Sequence, residues 1–263
     1  MAATTKVGSS SIAQVTADRI TIRGMDLCED LIGHWSFTNY FLFLLTGEQP
    51  SNKLLAMTDA CLVAIAEHGF VPSVQAARMT YAAAPDALQG AVSAGLLGCG
   101  TVILGASEAA GKLFSDVLER AENSNLNLEQ AAGEVLEELR VHRLPVPGFG
   151  HPTHKQEDPR ATRLLTLADQ LGVSGDNVAA LRAIEKSMES AYGRFLSMNV
   201  SGAIPATLLD AGFPLQAMRG VPLVARTGSL VAHLLEEKSK PLGFKLAAVA
   251  DSAVEYDGIP PQS

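Results

Sequence analysis

Aromatic residues make up only 5% of the 263 residues, and Trp35 is the single tryptophan. Cysteine is scarce as well: Cys28, Cys61 and Cys99 stand alone, with no CxxC pair. That excludes a disulfide scaffold and predicts buried or free thiols in a reducing compartment. No apolar run approaches the roughly 20 residues that a membrane-spanning helix needs; Tyr40–Leu45 is among the longest. The opening MAATTKVGSSS has no apolar stretch of the secretory kind, so a soluble cytoplasmic protein with no membrane partner is the expectation. Cations are few. Twenty Lys and Arg against 28 Asp and Glu leave a formal charge of −8. This argues against a nucleic-acid partner but leaves room for a local basic pocket. Neither GxxxxGK nor HExxH nor a Cys/His cluster occurs, so no metal and no nucleotide are expected.

What is present is alanine, leucine and glycine at helical spacing. The set Leu54, Leu55, Met57, Ala60, Cys61, Val63, Ala64 predicts a helix running to His68. Similar stripes cover Leu88–Leu97, Ala109–Ala121, Leu128–Arg140, Ala161–Leu171, Asn177–Phe195 and Leu223–Glu236. Ser51, Asn127 and Asp176 read as helix caps. Proline and glycine punctuate the gaps, among them Pro50, Pro85, Pro205 and Gly212–Pro214. One hairpin is expected, Ala13–Ala17 against Arg19–Arg23. The fold class is therefore all-α with a small N-terminal β element.

Arg143–Arg160, RLPVPGFGHPTHKQEDPR, holds four prolines, two glycines and two histidines between two helices. Such a density of rigid and permissive backbone marks a site loop. His142 and His154 lie in or beside it. His34 and Trp35 read as packing residues, and His233 as a helix histidine with a local partner.

Taken in order, several segments resemble the citrate synthase superfamily, and most of all its short branch of citryl-CoA lyases and the citrate-synthase-like domain of ATP-citrate lyases. ITIRGMDLCEDLIGHWSFTNYFLFLLTGEQPS is similar to the family's opening, and AEHGFVPSVQAARMT to its ADHG segment. VPGFGHPTHKQEDPRA resembles GHRVYKNYDPRA, the most specific match, while LSMNVSGAIPATLLDAGFP resembles NVDGAIAAVLLDLGFP. VARTGSLVAHLLEEK resembles the helix that carries the ART arginine.

The resemblance implies a two-domain helical homodimer, with a small domain at 103–205 and a large one at 1–102 plus 206–263. It implies that His68 and His151 hydrogen-bond the oxaloacetate or citryl portion of the substrate. Arg160 and Arg226 would grip carboxylates, a task suited to the bidentate guanidinium. Val146, Pro147, Gly148, Phe149 and Gly150 would receive the coenzyme A adenine, and Lys155 would face its phosphate. The catalytic position of the family falls on Ser201.

Three features depart from the pattern. The stretch that matches HGGANE reads Ile103-Leu104-Gly105-Ala106-Ser107-Glu108, without a histidine, as in the lyase branch. The family's catalytic aspartate is replaced by Ser201, a poor general base near neutral pH; Glu108 and Asp210 are the nearby carboxylates that could stand in. The tail KLAAVADSAVEYDG lacks the arginine that a neighbouring subunit usually supplies. Three functions stay open: a citryl-CoA-type lyase or synthase, a non-catalytic CoA-ester-binding partner subunit, and other acyl-CoA chemistry such as thioester hydrolysis.

Overall fold

The computed structural model describes residues 7–150 and 155–259. His151 and His154 lie outside the described residues.

The expected hairpin forms, with β1 (Ala13–Val15) antiparallel to β2 (Ile20–Ile22) in the register Ala13↔Ile22 and Val15↔Ile20. A third strand, β3 (Met25–Asp26), extends it. Arg23 and Gly24 both take positive φ, 50° and 92°, which is the geometry of a two-residue turn matched to strand twist. Asp26 then accepts the amides of Cys28 and Glu29 and starts a short π-helical turn, Leu27–Leu31. Ile22, Leu31 and Phe43 close a small core here, and the ring of Trp35 meets Phe43 edge-on at 5.1 Å.

Eleven helices follow among the described residues: α1 (Phe37–Thr46), α2 (Asn52–Ala66), α3 (Pro72–Ala83), α4 (Leu88–Leu97), α5 (Ala106–Ser124), α6 (Leu128–Val141), α7 (Pro159–Leu171), α8 (Asp176–Tyr192), α9 (Val200–Asp210), α10 (Gly220–Ser239) and α11 (Gly243–Ser252). Ser51 caps α2 by accepting the Leu54 amide, and Asn127 and Gln130 form a reciprocal capping box on α6. Two expectations are corrected. Asp176 is the first residue of α8 rather than its cap, because Asp210 at the end of α9 takes the cap role. Its carboxylate accepts from the amides of Gly175, Asn177 and Val178 and from the Asn177 side chain, at 2.7–3.0 Å. Pro205, read as a break between helices, lies inside α9. Its missing N–H leaves the Ser201 carbonyl without the usual helical donor.

One core joins α2 to α5–α9, with Phe114, Leu136, Leu181, Ile184, Met188, Ile204 and Leu208 fully buried. A second, built from Val74, Ala77, Tyr81, Ala91, Leu230 and Leu234, joins α3, α4 and α10. Helix α10 belongs to both, since Val221 and Ala225 sit in the first.

Helices α2 and α9 pack in opposite directions. Lys53, in the first turn of α2, donates to the Gly172 carbonyl, beside the α8 start that the end of α9 caps. Farther along, Cys61 meets Thr207 at 3.8 Å. At about 1.5 Å per residue, the end of α2 and the start of α9 then stand level at the far end of the pair.

Replacing Asp210 with alanine strands the donors at the start of α8. A loss of about 1–3 kcal/mol is expected, read as a lower urea midpoint. An unchanged midpoint would contradict the cap assignment.

Candidate active site

The site loop is strapped to the start of α9 through its backbone. Gly148 and Gly150 have positive φ, 84° and 73°, a conformation natural to glycine. The Gly148 carbonyl accepts the Asn199 amide at 2.9 Å, the Asn199 side chain donates to the Gly150 carbonyl at 2.6 Å, and the Gly150 amide donates to Ser197 O at 2.8 Å. A Cβ on Gly148 would stand 2.7 Å from the Gly202 Cα. No side chain fits between these two backbones. Val146 and Phe149 are buried beneath the loop, and Lys155 is exposed.

The first amides of α9 are already engaged. Asn199 Oδ1 accepts from Ser201 N, and Asp158 Oδ2 accepts from Val200 N, both at 2.9 Å. Asp158 is buried and pairs in bidentate fashion with Arg160, at 3.0 Å to Nε and 2.9 Å to Nη2. Burial pushes the Asp158 carboxyl up, but the Arg160 bonds and charge and the Val200 amide outweigh it and hold it below its ordinary value. The reading of the sequence singled out Arg160 and passed over Asp158, although the DPR tripeptide carries both.

Ser201 is half-buried in the first turn of α9, and no carboxylate among the described residues bonds its hydroxyl. The two stand-in carboxylates have other tasks. Asp210 caps α8 at the opposite end of α9. Glu108 bonds Lys112 at 2.7 Å, and that bond and charge hold it below its ordinary value, which makes it a weaker base.

Across the end of α2 lies a second group. Arg226, on α10, is only 3% exposed. Its Nη2 donates to the Ile65 carbonyl at 3.3 Å, while Nε and Nη1 are buried without a hydrogen-bond partner among the described residues. A buried guanidinium with no counter-anion is costly, by several kcal/mol; none pairs with Arg226 among the described residues, so this one is suited to an anionic ligand. His68 is exposed in the turn after α2, with its amide bound to the Glu67 carboxylate at 2.9 Å. Because α2 and α9 are antiparallel, Arg226 and His68 come to the same end of the fold as Ser201, Arg160 and the Val146–Gly150 loop. Burial makes Cys61 and Cys99 poor nucleophiles: it pushes the Cys61 thiol up to about 12 and raises Cys99 as well. A cleft of about 470 Å³ between α5 and α6, which includes Arg120, Glu138 and His142, is lined by none of the candidate residues.

The lowered Asp158 carboxyl sets a pH dependence. It adds stability above the ordinary aspartate range, and that stability is lost as the pH falls through its lowered folded value. Thermal midpoints of the wild type should therefore drop more steeply in acid than those of Asp158→Asn. Parallel curves would contradict the assignment.

Residues 34–243 match the family model described as citrate synthase, C-terminal domain. The chain superposes on citryl-CoA lyase from Hydrogenobacter thermophilus with a TM-score of 0.85 and 30% identity, over 98% of this chain and 97% of that one. It shares a fold with ATP citrate lyase from Methanothrix soehngenii, solved with citrate and coenzyme A, at a TM-score of 0.73 and 19% identity over 89% of this chain and 39% of that one. The citrate synthase of Haloferax volcanii is 28% identical over 200 residues, 75% of this chain and 50% of that protein. The chain thus spans about half the length of the curated relatives it matches. With most of its length covered by the family model, the chain belongs to the citrate synthase family.

Proposed function

We propose that this chain is a carbon–carbon lyase, or the reverse synthase, of coenzyme A thioesters, cleaving citryl-CoA or a related 3-hydroxyacyl-CoA to acetyl-CoA and a 2-oxo acid such as oxaloacetate. The observation that carries this reading is Arg226, a buried cation whose Nε and Nη1 have no hydrogen-bond partner among the described residues, at the end of the fold that holds Ser201. A substrate carboxylate would supply the missing anion. The likeness to the citryl-CoA lyase along nearly the full length of both chains supports the lyase direction.

In cleavage the tertiary hydroxyl at C3 loses its proton and the C2–C3 bond breaks. C3 becomes the ketone of the 2-oxo acid. The electron pair passes to the thioester as an enolate, which takes a proton at C2. His68 and His151 would hydrogen-bond the oxygen on C3, where negative charge develops. Arg160 spends Nε and Nη2 on Asp158 and keeps Nη1 for a carboxylate. The carbonyls of Gly148 and Gly150 point into Asn199, so the adenine would lie on the outer edge of the Val146–Gly150 loop, with Lys155 toward the phosphates. The active form would be a cytoplasmic homodimer. Exposed Leu97, Leu235 and Phe244, on α4, α10 and α11, fit a subunit interface. Closure of 103–205 onto 1–102 plus 206–263 would exclude water from the thioester.

Ser201 favours a second reading, a CoA-ester-binding subunit whose chemistry is weak. Its hydroxyl is too weak a base to take the C3 hydroxyl proton in cleavage or the C2 proton in synthesis, and Glu108 and Asp210 are otherwise engaged. The test is purified protein with synthetic citryl-CoA, following oxaloacetate and acetyl-CoA. Cleavage lost in His151→Ala supports the lyase, and Ser201→Asp is then expected to raise turnover by about a hundredfold. Tight binding without cleavage supports the binding subunit. Release of CoA and free acid with no 2-oxo acid would instead support thioester hydrolysis.

A further inference from the structure

Residues 67–70 make the turn from α2 into α3 and carry His68. One carboxylate ties this turn down. Glu67 accepts the amides of His68 at 2.9 Å and Gly69 at 2.6 Å on one oxygen. On the other it accepts the Ser229 hydroxyl and His233 Nε2, the latter at 3.1 Å. Ser229 and His233 are four residues apart on α10, one and two turns beyond Arg226. The acceptor therefore joins the backbone of His68 to the helix that bears Arg226.

The orientation of His233 is fixed from behind. Arg78 Nη1 lies 3.3 Å from His233 Nδ1, and a guanidinium can only donate. Nδ1 is thus the acceptor, and Nε2 carries the proton that goes to Glu67. Arg78 is itself immobile: it is fully buried, bonded to Glu237 at 2.6 Å, Glu236 at 2.9 Å and the Lys240 carbonyl at 3.0 Å. Phe70, at the far end of the turn, packs its ring 5.3 Å from the Arg78 guanidinium and edge-on to His233 at 5.7 Å. Both ends of the turn rest on one network centred on the buried Arg78. Glu67 itself is half exposed, so its loss need not unfold the core.

We propose that Glu67, held in place by His233, is the positioning residue for His68, setting its distance from Arg226. The inference rests on the functional reading above, in which His68 and Arg226 touch one substrate. Misplacement of a hydrogen-bonding group by about 1 Å can cost a hundredfold in rate. Glu67→Ala should therefore lower kcat for citryl-CoA cleavage by about a hundredfold, with little change in KM. In a His68→Ala background the same substitution should add almost nothing. His233→Ala should behave like Glu67→Ala, and His233→Gln, which both donates and accepts, should recover most of the loss. An equal loss in both His68 backgrounds overturns the proposal.

A second readout does not depend on turnover. In histidine-labelled full-length protein, the His68 ring signal should shift or broaden in Glu67→Ala and His233→Ala. If it stays unchanged in both, the proposal falls. A wild type that fails to cleave citryl-CoA overturns the functional reading alone, since the ring signal still decides the role of Glu67.

Discussion

The site depends on a contact between two backbones with nothing between them. Gly148 and Gly202 approach so closely that a methyl group on either would strike the other chain, at 2.7 Å in one direction and 2.8 Å in the other. This contact lets the loop lie flat on α9, and Asn199 then bonds it twice. Asp158 joins in by taking the Val200 amide while holding Arg160. Loop, helix start and arginine are thereby bonded into one unit.

The opposite wall is built by a different device. There a polar stripe on α10, from Arg226 through Ser229 and His233 to Glu236 and Glu237, holds the turn after α2 and the buried Arg78. The antiparallel run of α2 beside α9 is what brings these distant parts of the chain to one end of the fold. Buried polar networks of this kind fix geometry when each member has its partners. Arg226 stands out because two of its donors lack one among the described residues.

Local signals in the sequence were legible, and distant ones were not. Ser51 and Asn127 cap the helices that begin beside them, so spacing alone finds those starts. The hairpin around Asp18 was equally readable from its neighbours. Helices α1 and α3 escaped because their apolar residues form no long clean stripe, and Pro205 hid α9 since proline normally ends a helix. Asp210 could not be recognised as a cap, because the donors it serves lie more than 30 residues earlier. Glu67 is the same case at greater range: its α10 partners are more than 160 residues away. The motif around Arg160 was legible as a resemblance, but the pairing that engages most of its fork needed the fold.

The amides at the head of α9 are satisfied by Asn199 and Asp158, both of them neighbours of residue 201 and neither of them residue 201 itself. The side chain at 201 therefore holds up none of the architecture around it. Exchanging serine for aspartate there leaves the two capping bonds of the helix start in place. The chemistry offered at the head of the helix is thus separable from the bonds that build it.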